Sequence, residues 1–178
     1  WANYDSDKNI GIGSYALDAA LADANSNVAI GYGAMTANVS GSENIAIGND
    51  ALGLIEAGGS SNIVIGHEAM NAADGTESHN IAIGKDAMGG ADEGGGHIDH
   101  NIAIGTNAFL CGTAAAADGN IAIGAYALDG TGGSDITGNI AIGYDSMGAS
   151  STGTNNVCIG YESMKTANAG ESGNTVVG

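Results

Sequence analysis

Apolar residues fall at fixed intervals along this chain, and the interval is neither that of a helix nor that of one long strand. Asn9, Asn27, Asn44, Asn62, Asn80, Asn101, Asn120, Asn139, Asn156 and Asn174 each open a copy of one motif, usually Asn-Ile-Ala-Ile-Gly, two variable residues, Ala or Ser, then Leu or Met. Successive asparagines lie 18, 17, 18, 18, 21, 19, 19, 17 and 18 residues apart. A strict motif joined by stretches of changing length reads as structure joined by loop. With Asn as slot zero, slots one and three hold 16 of the 19 isoleucines, and slot four is glycine in every copy from Gly13 to Gly178. Slot eight carries all five methionines, the only phenylalanine (Phe109) and three leucines.

Alternating β-branched residues at slots one and three predict a short strand with those side chains buried. Glycine at slot four predicts a bend or a close backbone approach, and slots five to eight a second short strand with slots six and eight on one face. A unit of about 18 residues with two such strands is one coil of a parallel β-solenoid. The fold class expected is therefore all-β: a β-roll of about ten coils with 17–21-residue repeats, one repeat domain spanning 1–178. Ten coils at the interstrand spacing make a rod about 48 Å long. The asparagine column is expected to form a hydrogen-bonded ladder at a turn, where Asn tolerates unusual backbone angles; ligand or metal binding by that column is the sharper alternative.

Slot two points away from slots one and three, yet it is never polar. Its occupants are Gly11, Ala29, Ala46, Val64, Ala82, Ala103, Ala122, Ala141, Cys158 and Val176. A solvent-facing position would collect polar residues, so the column from Ala29 to Cys158 is expected to be an inter-chain seam, with cyclic symmetry the common solution. The alternative is a cross-section wide enough to bury slot two within one chain. Cys158 then fills an alanine slot as a small hydrophobe.

Asn27-Val-Ala-Ile-Gly-Tyr-Gly-Ala-Met35 and Asn139-Ile-Ala-Ile-Gly-Tyr-Asp-Ser-Met147 resemble the Asn-Thr-Ala-Ile-Gly-Tyr-x-Ala-Leu repeats of bacteriophage tail fibres. They are also similar to the Ser-Val-Ala-Ile-Gly-x-x-Ser-x-Ala head repeats of trimeric autotransporter adhesins. The resemblance runs from Asn9 to Gly178 and implies a left-handed roll, three chains per assembly, and a place on a virion tail or another extracellular surface. Two departures stand out: the repeat is longer than the adhesin type, and slot one is Ile where fibre repeats carry Thr, with only Thr175 matching.

Charge narrows the partners. The 178 residues include 20 acids against Lys8, Lys85 and Lys165, with no arginine, for a net charge of −17. Phosphate recognition needs cations to replace counterions, which argues against nucleic acid and against anionic lipid. No apolar run approaches a membrane span. The ends, Trp1 and a half-repeat closing on Gly178, read as those of a processed form or a piece of a longer polypeptide. Cys111 and Cys158 occupy unrelated places in the repeat, so nothing in the sequence suggests a disulfide framework.

Candidate chemistry is sparse. His97, Asp99 and His100 lie close in the longest connector, and His79 shares the pre-Asn position of His100 one coil earlier, so these four are the weak candidates for a transition-metal site. Asp92, Glu93 and Asp99 read as a solvated charge run. The calcium nonapeptide pattern is not in register. Tyr32, Tyr144 and Tyr161 share slot five, and Tyr15 and Tyr126 slot six; the interruptions in that column argue for scattered surface tyrosines. A glycosidase groove would need a carboxylate pair and sugar-stacking aromatics, and the chain has one Trp, one Phe and six Tyr. The expectation is a structural and adhesive segment, not an enzyme, without a cofactor: a homotrimeric spacer whose loops meet a host saccharide or protein. A bacterial trimeric adhesin head is the alternative, and an ice-binding solenoid, which would want an outward Thr column, is the alternative of another class.

Overall fold

A computed structural model describes residues 7–19, 23–54, 58–72, 76–90, 97–110, 116–130, 136–148, 153–165 and 170–178. The described chain is all-β, with fourteen short strands: β1 (Ile10–Ile12), β2 (Val28–Ile30), β3 (Ile45–Ile47), β4 (Ile63–Ile65), β5 (Ile81–Ile83), β6 (Ile98–Asp99), β7 (Ile102–Ile104), β8 (Ala117–Asp118), β9 (Ile121–Ile123), β10 (Ile136–Thr137), β11 (Ile140–Ile142), β12 (Gly153–Thr154), β13 (Val157–Ile159) and β14 (Thr175–Val177). The slot one-to-three strands stack as one ten-stranded sheet in the order β1-β2-β3-β4-β5-β7-β9-β11-β13-β14. Every pairing is parallel and in register: Ile81 faces Ile102, Ala82 faces Ala103, Ile83 faces Ile104. This is the parallel β-solenoid that the repeat predicts.

The second strand lies elsewhere than expected. It occupies the end of the connector, three and two residues before the asparagine, where β6, β8, β10 and β12 form a four-stranded parallel sheet. Slots five to eight are instead a turn in which slots six and eight adopt left-handed angles, as at Glu68 (φ 53), Met70 (φ 46), Asp86 (φ 52) and Met88 (φ 54). Alternating handedness points successive N–H and C=O groups along the solenoid axis, so the turn is laddered without being β. Slot six donates to the slot-five carbonyl of the preceding coil (Asp86 N to His67 O, 3.0 Å), and slot eight donates to the slot-seven carbonyl of the next (Met70 N to Ala87 O, 2.9 Å). Left-handed angles cost a non-glycine residue about 1 kcal/mol; the ladder bonds and burial of the slot-eight side chain offset this. A β-strand would send slots seven and eight to opposite faces. The turn instead buries both, as with Ala69 and Met70 or Ala108 and Phe109.

The sheet's facing is also opposite to expectation. Ala29, Ala46, Val64, Ala82, Ala103, Ala122, Ala141 and Cys158, expected to form a seam between chains, are fully buried within this one chain. The reason is the narrow cross-section. Slot eight sends Met, Leu or Phe into the interior, the connector adds Ala24, Ile98, Ala117 or Ile136, and only a small side chain fits between them at slot two. Burial pushes the Cys158 thiol pKa up, as expected of a packing cysteine. The isoleucines of slots one and three therefore face outward. Ile104 and Ile159 expose 37% and 39% of their surface, and Ile12 at the first coil 58%.

Two columns hold the coils in register. At slot four φ runs from 129° at Gly13 to 149° at Gly66, a region that L side chains avoid. A Cβ on Gly84 would also overlap the carbonyl oxygen of Gly105 in the next coil. The backbone angle selects glycine in every copy, and the close approach does so in every copy that has another coil stacked after it.

Candidate functional site

The asparagine column is a ladder, as predicted. Asn101 shows the unit: its N–H donates to Asn80 Oδ1 at 2.9 Å, its Nδ2 donates to the same oxygen at 3.2 Å and to Ala117 O at 2.8 Å, and its Oδ1 accepts from Asn120 N at 2.9 Å. The same scheme links Asn9 to Asn27, Asn27 to Asn44, Asn44 to Asn62, Asn62 to Asn80, Asn120 to Asn139, Asn139 to Asn156 and Asn156 to Asn174. The residue before each asparagine is left-handed, from His100 at φ 58 to Gly173 at φ 72, which turns the Asn side chain along the axis. Only a side chain with both acceptor and donors fits this role: Asp would lack the N–H groups and stack like charges. Asn27 through Asn156 are all buried. Their side-chain oxygens and Nδ2 groups are taken up within the fold, which argues for a structural column rather than a ligand row.

The four histidine-connector candidates do not converge. His79 and His100 do stack as the register predicts, with ring centroids 5.0 Å apart and planes 8° from parallel. However, His100 Nδ1 lies 3.0 Å from Asp118 Oδ1, and His97 Nδ1 3.1 Å from Thr76 Oγ1. Asp99 Oδ1 accepts from Ser78 N at 2.7 Å, closing the connector of the preceding coil. Asp92, Glu93 and Cys111 lie outside the described residues.

Three surface features remain. The first is the strip of slots one and three: two parallel columns running over ten strands, Ile or Val at every place except Thr175, with no charged residue. Nine spacings of roughly 4.8 Å between its first and last strands make it about 43 Å long. The second is the turn corner of slots five and six, where the five described tyrosines fall into two groups rather than scattering. Tyr15 meets Tyr32 edge-on at 5.4 Å; Tyr126, Tyr144 and Tyr161 form a run at 5.8 and 5.4 Å. The third lies between those groups, where slot six carries Asp50, Glu68 and Asp86 in successive coils. Among the described residues, His67, Glu68 and Asp86 are the one trio of His, Cys or carboxylate ligands with atoms within 4.8 Å of one another. The trio is not evident along the chain because Asp86 lies 18 residues from Glu68, in the next motif copy, with His67 beside Glu68; the signal was slot six, which Glu68 and Asp86 share.

Lysines answer the stacked acids unevenly. Lys165 Nζ bridges Asp145 Oδ2 at 2.7 Å and Glu162 Oε1 at 2.8 Å. The bonds to Asp145 and then Glu162 hold its ammonium protonated well above the ordinary lysine range. Lys85 Nζ reaches Asp86 Oδ2 at 2.6 Å, and that bond raises its pKa as well. A shallow depression of about 340 Å³ along the Asp50 and Glu68 part of the column is lined by those two residues with Thr36, Gly53, Leu54 and Asn71.

No protein-family model, curated protein or solved structure matches this chain. No helix among the described residues is long and apolar enough to cross a membrane.

Proposed function

We propose that the chain is a rigid segment of an extracellular fibre, of the phage tail fibre type, and that three copies associate through the strip of slots one and three. The observation that carries this reading is the outward isoleucine strip. Sixteen isoleucines face away from the interior of a chain that already has a complete apolar core. A water-facing strand surface would collect polar residues, whereas two unbroken β-branched columns suit a surface that packs against its own kind. A straight strip on every chain lets three chains converge along one axis, each covering parts of its neighbours. The resemblance to fibre and adhesin-head repeats agrees with that number.

The mechanism is mechanical. Parallel ladders of Asn, Gly and backbone bonds make a stiff rod, and connectors of differing length present varied chemistry to a host saccharide or protein. The acidic surface keeps rods apart side to side. No catalytic step, cofactor, nucleic acid or membrane enters this reading. The adhesin-head alternative shares the same assembly.

Sedimentation equilibrium tests it. The expected species is about three times 17.3 kDa, unchanged between low and high salt because the seam carries no charge. Ile83→Asp with Ile104→Asp is expected to give a monomer that keeps its β-sheet circular dichroism. A wild-type chain that stays monomeric at high concentration overturns the assembly; a flat branched strip facing water would then be examined for thermal hysteresis in ice.

A further inference from the structure

The slot-six column repeats carboxylates one coil apart, and like charges at that spacing repel. In the later coils the chain supplies its own remedy, because one ammonium on Lys165 sits between Asp145 and Glu162. In the earlier coils Asp50, Glu68 and Asp86 stack in the same slot, and Lys85 engages Asp86. Beside Glu68 the sequence places His67 instead of a lysine. Its Nδ1 lies 3.6 Å from Glu68 Oε2, too far for a hydrogen bond. That separation is close to the roughly 3.3 Å between two donors that each sit about 2.05 Å from a tetrahedral ion.

We propose that His67, Glu68 and Asp86 form a binding site for a divalent first-row transition ion, which clips one coil to the next. One imidazole nitrogen and two carboxylates are a donor set suited to such ions, and the imidazole disfavours calcium and magnesium. The ligands stand on backbone that is already fixed: Glu68 N donates to Asn49 O at 2.9 Å and Asp86 N to His67 O at 3.0 Å. Small side-chain rotations bring three donors within 4.8 Å of one another onto a common centre. Asp86 has two carboxylate oxygens, so Lys85 can keep one as a supporting partner while the other turns to the ion. Water completes the coordination on the exposed side. The ion does at this corner what Lys165 does further along: it places positive charge between stacked acids.

Calorimetric titration of the full chain with Zn²⁺ in a non-coordinating buffer tests the site. The expected result is one ion per chain, with affinity falling tenfold or more in His67→Ala and in Glu68→Gln. Thermal melts are expected to show a higher Tm with saturating Zn²⁺ in the wild type and a much smaller rise in either variant. His97→Ala should leave both readouts unchanged. The proposal is overturned if the wild type takes up no Zn²⁺ saturably, if both ligand variants bind as well as the wild type, if His97→Ala abolishes binding, or if Ca²⁺ displaces Zn²⁺ from the site. Stoichiometry per chain is the same for monomer and trimer, so this test stands apart from that of the assembly.

Discussion

The two faces of one strand carry opposite lessons. Inward, Ala103 is fully buried and small; outward, Ile102 and Ile104 are large and partly exposed. A rule that sends the larger apolar residue inside fails here because the interior is already occupied. Phe109 and its slot-eight equivalents reach across the coil, and the room left at slot two is that of a methyl group, or of Val64 and Cys158 at most. Size inward is set by the width of the coil. Apolarity outward is left unexplained by the chain's own core and asks for another surface.

Exchanging the two faces is the most severe way to break that contrast. Ala103→Ile forces three heavy atoms into a filled interior and is expected to cost about 3 kcal/mol. Ile102→Ala, read in the same urea titration on the dissociated chain, is expected to cost under about 1 kcal/mol. If the two losses come out equal, the facing assigned to the sheet is wrong. The next effect in size concerns the ladder beside the strand. Asn101→Ala strips Asn120 N–H and Nδ2 of an acceptor and Ala117 O of a donor, and leaving buried groups unpaired costs about 2 kcal/mol. Amide exchange should then quicken first in the coils flanking Asn101.

The smallest effect tests where the interior ends. Asp129 follows the buried Leu128, and partial burial raises its carboxyl pKa above the ordinary value of 3.8. A raised carboxylate makes the folded chain bind a proton more readily than the unfolded chain. This group therefore costs no stability below its unfolded pKa, and its cost grows as pH rises through the folded pKa. Solvent screening at this partly exposed carboxylate keeps the effect small, so Asp129→Asn is expected to raise stability at pH 7 by well under about 1 kcal/mol and to match the wild type near pH 3. A variant that is less stable at pH 7 would show that the carboxylate is favourably placed.

Particular residues show how far the sequence reached. Each asparagine ladder position was legible, because a polar residue repeated without exception before an apolar strand has to satisfy itself against its own copies. Glycine at slot four was legible for the same reason, and the stacking of His79 on His100 followed from register alone. The connector strands such as Ile98–Asp99 were not, since two residues give no period. The turn was misread as a strand because Met88 and Asp86 adopt left-handed angles that nothing in those residue types announces. The His67, Glu68 and Asp86 corner was visible only once slots were compared between coils.

By itself, then, the sequence determined the period, the parallel in-register stack and the residues that lock it, because an invariant spacing leaves one way to align the copies. It did not determine which side of the strand faces in. Slots one, two and three are all apolar, so the alternation that normally orients a strand is missing, and both orientations satisfy the pattern. Only closure of the coil decided it. Once the left-handed turn folds slot eight across a narrow interior, steric exclusion admits alanine and turns isoleucine out.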